Sequence, residues 1–197
     1  MTLVFATNNE NKVKEIRSML GDHFSIITLK EAGIDIDIPE PHDTLEDNAR
    51  EKSSVIYEMT GKNCFSEDTG LEIDVLNGAP GVLSARYAGE QKLADDNITR
   101  VLHEMNGQEN RQAHFRTVIS LILNGKEYQF TGVCPGTILT ERRGGKGFGY
   151  DPIFVPIGAK KAFAEMNMAE KNQYSHRAKA LQQLITFLKE AATKPLS

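Results

Sequence analysis

The sequence predicts an α/β fold whose mixed, elongated sheet is flanked by helices, and two observations lead to this prediction. In the first part of the chain, short apolar runs alternate with segments whose apolar residues recur at helical spacing, as expected of strands connected by helices. In the middle, Asn124-Gly125 separates two apolar runs, and this dipeptide is a strong signal for an antiparallel hairpin. The two kinds of connection predict a sheet of mixed direction, not a regular doubly wound one.

Apolar spacing predicts the elements of the first part of the chain. Strands are expected at Thr2–Ala6 and Phe24–Leu29, with a helix from about Asn11 to Leu20 between them. A second helix is expected after Thr44, where Asp47 takes the fourth position of a capping-box-like start that usually has Glu or Gln. This helix continues at helical spacing through Leu45, Ala49, Lys52, Ile56 and Met59.

The second part of the chain continues the alternation. Two strands are expected around a turn at Asp68-Thr69-Gly70, a third helix is ended by Gly107, and the hairpin and a further helix follow. The ranges expected for these elements are, in order, Asn63–Glu67, Leu71–Leu76, Ile98–Met105, Ala113–Leu123, Lys126–Val133 and Leu181–Leu188.

Composition predicts a soluble, single-domain protein of the cytoplasm. The 197 residues suffice for one α/β domain spanning 1–197, and 40% hydrophobic with 25% charged residues is the balance of a globular protein. No apolar run approaches the ~18 residues of a membrane span, and the N-terminus has no basic region of the signal-peptide kind. Cys64 and Cys134 lie in separate apolar runs, which predicts reduced core thiols, not a disulfide or metal site.

The charge pattern argues against a nucleic-acid polymer as partner. The formal net charge is −4, and no Lys/Arg-rich block exists beyond Arg142-Arg143 with Lys146. Proteins that hold a nucleic-acid backbone usually carry a basic stripe. A phosphate site in this chain must therefore be local, built from a few cations, backbone N–H groups and a metal ion.

The first candidate site is the junction Ala6–Lys12, between the first strand and the first helix. The N–H groups and the positive end of the helix dipole make such a junction a binding position for an anion. Thr7 and Asn9 can donate to phosphate oxygens, and Lys12, one turn into the helix, supplies an ammonium group. The structural alternative is an Asx-type cap with a solvated lysine, which is common at such junctions.

The second candidate site is acidic. Glu67 and Asp68 directly follow the apolar Cys64-Phe65, and carboxylates in that position are costly unless they are compensated. Mg²⁺ is usually held by one or two carboxylates together with waters and substrate phosphates, so the pair fits a Mg²⁺ site. The alternative is an acidic turn. A third acidic set, Glu40 with Glu46 and Asp47, complements the helix dipole unless Glu67 and Asp68 lie nearby.

Two further candidate sites lie late in the chain. The segment Gly144–Phe154 is rich in glycine, which lets a backbone approach a flat ligand closely, and its Phe148 and Tyr150 can stack on a base. Lys171, followed by Ser175-His176-Arg177 at the start of the last helix, offers an ammonium, an imidazole and a planar fork of donors.

Together these segments resemble the inosine triphosphate pyrophosphatase family, also called the non-standard purine NTP pyrophosphatases. The resemblance runs in order from Ala6 to Arg177, which is nearly the whole chain. One matching motif would be weak evidence for the family, but five in the same order are strong evidence. The pieces are Ala6–Lys12, Glu67–Leu71, Gly78–Gly81 with Ser84–Tyr87, Gly147–Phe154 and Ser175–Arg177.

The resemblance implies a homodimeric, Mg²⁺-dependent enzyme with a substrate cleft between two lobes of one fold. It implies hydrolysis of ITP, dITP and XTP to the monophosphate and pyrophosphate. By motif position, Asp68 would be the general base, and Glu40 and Asp68 would be metal ligands with Glu67 close by. The residues implied to contact the nucleotide are Thr7, Asn8, Asn9, Glu10, Asn11, Lys12, Thr69, Phe148, Gly149, Tyr150, Asp151, Lys171, His176 and Arg177.

The chain departs from the family's pattern in two places. It has Thr69 where many relatives have Ser, which keeps the hydroxyl, and Asp47-Asn48-Ala49 where many have Glu-Asn-Ala. The segment Ile38–Asp43, which carries Glu40, fits the pattern loosely.

Two other functions are compatible with parts of the sequence. A nucleotide-binding sensor would share the cations and the glycine-rich segment but would not need Glu67-Asp68 beside the phosphates. A pyrophosphatase of the septum-inhibitor-like group would act on pyrimidine or modified nucleotides. Ser175-His176-Arg177 and the long Gly147–Phe154 segment argue against that group.

Overall fold

The structure, a computed structural model, describes residues 1–21 and 23–193. The strands are β1 (Thr2–Phe5), β2 (Ser25–Thr28), β3 (Cys64–Ile73), β4 (Pro80–Gly81), β5 (Gln112–Leu123), β6 (Lys126–Ile138) and β7 (Phe154–Pro156). The helices are α1 (Glu10–Leu20), α2 (Leu45–Thr60), α3 (Ala94–Glu104), α4 (Met168–Asn172) and α5 (His176–Thr193).

The strands of the described residues form one mixed sheet in the order β2-β1-β3-β5-β6-β7, with β4 paired to β3. β1 is parallel to β2 and to β3, whereas β3–β4 and β6–β7 are antiparallel. The predicted mixed α/β fold is therefore confirmed. Among the described residues, no helix is both long and apolar enough to span a bilayer.

The chain divides into two compact units. The first unit comprises Met1–Asp68, Thr117–Gly132 and the described residues from Arg177 onward, and the second comprises Thr69–Arg116 and Val133–His176. The prediction of a single domain over residues 1–197 stays a prediction.

Each unit has its own apolar core. In the first unit the rings of Phe5 and Phe65 stack with centroids 4.4 Å apart, and helices α1 and α5 pack their apolar stripes on this core. In the second unit Phe115 contacts Phe154 edge to face at 4.6 Å. Burial of each such ring contributes roughly 1.5–3 kcal/mol to folding.

The start of α2 matches the predicted capping sequence. The hydroxyl oxygen of Thr44 accepts a hydrogen bond from the backbone N–H of Asp47 at 3.1 Å, and the hydroxyl donates to the Asp47 carboxylate at 2.7 Å. The helix N-terminus is thereby satisfied by its own first turn. Thr44 and Asp47 thus define where α2 begins.

The hairpin predicted at Asn124-Gly125 is also present. β5 and β6 are joined by these two residues, which have φ values of 52° and 79°. A two-residue turn with positive φ at both positions is the type that matches the twist of antiparallel strands. The second strand runs on to Ile138, beyond the Val133 expected from apolar spacing.

The turn predicted at Asp68-Thr69-Gly70 is wrong, because β3 runs without interruption from Cys64 to Ile73. Gly70 serves the packing of the strand. A Cβ atom there would lie 2.7 Å from the carbonyl oxygen of Gly81, on β4. The glycine therefore permits close approach of a second backbone, a role that sequence spacing does not distinguish from a turn.

Candidate active site

The junction between β1 and α1 is a capped helix start. Asn9 Oδ1 accepts hydrogen bonds from the backbone N–H groups of Asn11 at 3.0 Å and Lys12 at 3.2 Å, and Thr7 Oγ1 accepts from Asn9 N–H at 3.1 Å. The cap interpretation is thus confirmed for Asn9. The solvated-lysine part of that alternative is wrong, because Lys12 Nζ lies 3.1 Å from Glu67 Oε1 and its side chain is 16% exposed.

Glu67 is the centre of a buried ion network in the first unit. Arg177 donates to both Glu67 oxygens, from Nε at 2.8 Å and from Nη2 at 2.9 Å, and its Nη1 donates to Glu15 at 2.5 Å. Two carboxylates thus face two cations, Arg177 and Lys12. Burial raises the pKa of Glu67, but Arg177 and Lys12 outweigh it and hold that pKa well below the usual range. Glu67 is therefore an ionised carboxylate at neutral pH.

Asp68, the next residue of β3, has a different partner. Lys52 Nζ donates to Asp68 Oδ1 at 3.2 Å and to Glu40 Oε1 at 2.5 Å, so one ammonium joins the two carboxylates. Burial raises the pKa of Asp68, and the opposing attraction of Lys52 and Lys12 does not reverse the shift. Successive strand residues point to opposite faces, which explains why Glu67 and Asp68 have separate partners. Of the two, Asp68 is the carboxyl suited to accept a proton.

The residues around Lys52 fit a Mg²⁺ ion. Asp68 Oδ2 is buried and has no hydrogen-bond partner among the described residues. Glu40, whose side chain is 24% exposed, lies against the same ammonium. No group of three or more His, Cys, Asp or Glu in the described part of the chain could hold a metal. Mg²⁺ commonly uses one or two carboxylates and completes its shell with water and phosphate oxygens, so Asp68 and Glu40 match the usual number and kind of its protein ligands.

The second unit contains a separate buried ion pair. Asp151 Oδ2 accepts from Lys171 Nζ at 2.5 Å and from the backbone N–H of Phe148 at 2.9 Å. The Lys171 ammonium lies 5.2 Å from the ring centroids of both Phe148 and Phe163. Gly147 has a φ of 75°, and a Cβ there would collide with the Asp151 carboxylate. Gly147 therefore makes room for Asp151.

Tyr150 and His176 are core residues of the second unit. Tyr150 is 4% exposed and its hydroxyl donates to the Ser84 carbonyl at 2.8 Å, while the His176 ring stacks on Phe115 at 4.6 Å. The prediction that Tyr150 stacks on a base is therefore not supported, because its ring is enclosed by protein. Phe148 is half-buried, so it is the better candidate for stacking.

The comparisons with known proteins decide the family. The model of the Ham1 family matches residues 3–187. The chain belongs to the Ham1 family. The resemblance inferred from the five motifs is confirmed by this match and by the relatives of the chain.

Individual Ham1 relatives are similar over almost their full length. A protein of Flavobacterium johnsoniae named dITP/XTP pyrophosphatase is 51% identical over 194 residues, which cover 98% of this chain and 100% of that one. The solved structure of a HAM1 protein from Coxiella burnetii superposes with a TM-score of 0.89 at 38% identity, covering 97% of this chain and 100% of that one. The Staphylococcus aureus Ham1 protein gives 0.87 at 36% identity, covering 96% and 99%.

The structure brings together many of the residues predicted for a Ham1 site, within each unit. In the first unit, one set of ion pairs connects Lys12, Glu67 and Arg177. A second set connects Glu40 and Asp68 through Lys52. Asn8, Asn9, Glu10 and Asn11 lie exposed before or at the start of α1. Those of the second unit gathered around one buried ion pair are Phe148, Asp151 and Lys171, and Gly149 lies in the same segment at a φ of 59°. Thr69 is half-buried on β3.

The hydrogen bonds of Glu67 and Arg177 bear on the roles predicted for these two residues. Glu67 is not proposed as a metal ligand, because both of its oxygens accept hydrogen bonds from Arg177 and one also faces Lys12. Arg177 is 1% exposed and its guanidinium lies between Glu67 and Glu15, so the structure gives it a structural role. A contact of Arg177 with the nucleotide stays a prediction.

Sequence reasoning missed two members of the site, Lys52 and Glu15. Lys52 had a signal, because it occupies the apolar stripe of α2 and a lysine on a buried face requires a buried carboxylate. Glu15, buried on α1 beside Ile16, had none: its partner Arg177 lies 162 residues away in the chain.

Proposed function

We propose that this protein hydrolyses non-standard purine nucleoside triphosphates, ITP, dITP and XTP, to the nucleoside monophosphate and pyrophosphate. The proposal includes a Mg²⁺-dependent homodimer acting on the nucleotide pool of the cytoplasm. The observation that carries it is Asp68, a buried carboxyl with raised pKa that shares the Lys52 ammonium with Glu40. The names of the similar proteins, dITP/XTP pyrophosphatases, support the choice of substrate.

The proposed chemistry is attack of water on the α-phosphorus. Asp68 accepts a proton from the water, the new P–O bond forms, and the bond from the α-phosphorus to the bridging oxygen breaks. Pyrophosphate leaves with the electron pair of that bond, so triphosphate and water become monophosphate and pyrophosphate. Without a bound metal, burial raises the pKa of Asp68, a direction that favours acceptance of a proton.

The charge on the phosphates would be balanced by cations of the first unit and by Mg²⁺. Asp68 and Glu40 would hold the metal, which when bound would neutralise phosphate oxygens and the leaving pyrophosphate. Lys12 is paired with Glu67 at the first turn of α1, and its ammonium would bind triphosphate oxygens. Positioning and charge stabilisation supply most of the catalysis in phosphoryl transfer.

The proposed base selectivity follows from hydrogen-bond polarity. Hypoxanthine and xanthine present an O6 acceptor beside an N1–H donor, whereas adenine presents an N6 donor beside an N1 acceptor. A site whose donors face O6, such as the backbone N–H groups of Gly149 or Tyr150, leaves those donors unpaired when ATP enters. Such mismatches cost up to ~10⁴–10⁵-fold in kcat/KM. GTP shares the O6 and N1–H pattern, so only its 2-amino group can exclude it.

A nucleotide panel tests the proposal. ITP, XTP, GTP and ATP are incubated with the protein and Mg²⁺ at matched low concentration, and the products are identified by phosphorus NMR. We expect monophosphate and pyrophosphate, with ITP and XTP strongly preferred over ATP. ATP turnover within about tenfold of ITP would indicate a general nucleotide pyrophosphatase. Binding of ITP without any product would indicate a sensor.

A further inference from the structure

The segment that carries Glu40 has no regular secondary structure, so something else must fix the Glu40 carboxylate. Glu40 lies between Pro39 and Pro41. Proline fixes its own φ and restricts the residue before it to extended conformations, so the segment is stiff. On its N-terminal side, Ile36 and Ile38 pack on the apolar cluster around Leu29 and Ile56. A stiff segment held at both ends places its middle residue accurately.

The C-terminal end of the segment is held by Asn48. This side chain is fully buried in the second turn of α2. Its Oδ1 accepts from the backbone N–H of His42 at 2.9 Å, and its Nδ2 donates to the His42 carbonyl at 3.0 Å. The amide thus pairs with both backbone groups of one residue, His42, as a residue of a neighbouring antiparallel strand would. Asparagine is unfavourable inside a helix, so its position here is explained by this pairing and not by helix propensity.

Asn48 and Lys52 lie one turn apart on the same face of α2. Asn48 holds the backbone of the segment two residues after Glu40, and Lys52 holds the Glu40 carboxylate at 2.5 Å and Asp68 at 3.2 Å. One face of a single helix therefore fixes both the main chain and the side chain of Glu40 relative to Asp68.

We propose that Asn48 is a positioning residue that sets the distance between the Glu40 and Asp68 carboxylates and thereby the metal affinity of the site. This rests on the proposed function only in that Glu40 and Asp68 hold the divalent ion. Asn48 itself touches neither metal nor substrate. Residues that orient metal ligands are typically worth 10–100-fold in metal affinity or activity.

The test measures binding of Mn²⁺, as a probe for the divalent site, from the loss of the free-ion signal in electron paramagnetic resonance. We expect Asn48→Ala to bind Mn²⁺ ~10–100-fold more weakly than the wild type. Asn48→Asp, which keeps the acceptor for His42 N–H but loses the donor, gives a second, isosteric variant. Circular dichroism and urea denaturation establish that each variant is folded before the titration.

Asn97→Ala is the matched control. Asn97 is 4% exposed on α3, and its amide likewise accepts from Ala88 N–H at 2.6 Å and donates to the Ala85 carbonyl at 3.0 Å. Its loss should destabilise the protein comparably and leave Mn²⁺ affinity unchanged. Equal loss of Mn²⁺ affinity in both variants would overturn the proposal, because general destabilisation would then explain it.

A double-mutant cycle shows whether Asn48 acts through Glu40. With ITP as substrate, Asn48→Ala should lower kcat/KM by roughly tenfold or more in the wild-type background, but by less than about twofold in the Glu40→Gln background. Multiplicative effects would overturn the proposal, as would wild-type Mn²⁺ affinity in Asn48→Ala. A wild type that binds Mn²⁺ but never hydrolyses ITP would instead contradict the proposed function and leave the role of Asn48 standing.

Discussion

Glu67 and Asp68 are adjacent residues with opposite electrostatic behaviour. Both are buried, but Glu67 accepts hydrogen bonds from a guanidinium and faces an ammonium, whereas Asp68 shares Lys52 with Glu40. Burial raises the pKa of both carboxyls, and the charges around Glu67 reverse this while those around Asp68 do not. The opposite pKa shifts predict opposite effects on stability when each carboxylate is replaced by its amide.

Asp68→Asn should lower kcat by ~10²–10⁴-fold while retaining the fold and nucleotide binding, because an amide does not accept the proton. Its free energy of unfolding at neutral pH should be unchanged or higher. When the pKa of a carboxyl is raised by folding, the protein loses stability as the pH rises through that pKa. An amide does not ionise, so the variant avoids this loss of stability. Steady-state kinetics and urea denaturation measure both effects.

Glu67→Gln is the control, because its change in the free energy of unfolding should have the opposite sign. The pKa of Glu67 is lowered, so its ionised form contributes stability that is present above its unfolded-state pKa and lost as the pH falls. Glu67→Gln should therefore destabilise the protein at neutral pH. More than about a tenth of wild-type kcat in Asp68→Asn would remove Asp68 from its proposed role.

Lys12→Ala should weaken binding of triphosphates far more than of monophosphates. Lys12 lies in the first turn of α1, with its ammonium 3.1 Å from Glu67 Oε1, and we expect this ammonium to bind the outer phosphates. Calorimetry with IMP and a non-hydrolysable ITP analogue, together with KM and kcat for ITP, measures the difference. Equal losses of affinity for both ligands would show that Lys12 serves only the ion network.

Among the helices, strands and turns, the features with a local physical cause were predicted correctly. Thr44 with Asp47 defines a helix start, and Asn124-Gly125 defines a turn with two positive φ angles. Both depend on a few neighbouring residues. Gly70 has a non-local cause, the approach of Gly81 from β4, and it was misread as a turn. Local pattern cannot reveal a contact whose partner is placed by the fold.

Gly70→Ala tests that explanation. The added methyl would lie 2.7 Å from the Gly81 carbonyl oxygen, so β3 and β4 must separate. Overpacking of this kind typically costs ~1–3 kcal/mol of stability, measured by urea denaturation. Gly145→Ala is the control, because a Cβ there meets nothing within 4 Å. A stable Gly70→Ala variant would mean that the strands yield without cost.

Across the whole fold, short motifs predicted candidate site residues, whereas ion pairs between distant parts of the chain were missed. Asp68, Lys12 and Lys171 were predicted because each lies in a short recognisable motif. The partnership of Glu15 with Arg177 spans 162 residues, and no spacing rule connects them. The sequence predicted Arg177 as a donor to the nucleotide, and its burial between Glu15 and Glu67 is a result of packing.

Arg177→Ala should therefore destabilise the molecule strongly. Removing one partner of a buried ion pair typically costs ~3–5 kcal/mol, because the remaining charges stay buried, here those of Glu15 and Glu67. Thermal and urea unfolding measure this loss. Arg17→Ala is the control, since Arg17 makes an equally well-formed but exposed pair with Glu31 and should change stability little.

The ratio of ITP to ATP turnover in Arg177→Ala separates two roles. If Arg177 only stabilises the ion network, the ratio stays at the wild-type value while stability falls. A ratio that collapses toward one would restore the base-reading role implied by the resemblance.

The distance between Glu67 and Arg177 along the chain also has a consequence for synthesis. The two residues are 110 positions apart, so the ribosome adds the guanidinium long after the carboxylate it neutralises. At about 5–20 residues per second, Glu67 waits on the order of 5–20 s for its partner. During that interval the nascent first unit cannot bury Glu67 at low cost. Folding of the first unit is therefore expected to wait until Arg177 has been synthesised, and a chain stopped before Arg177 should be a substrate for chaperones and proteases.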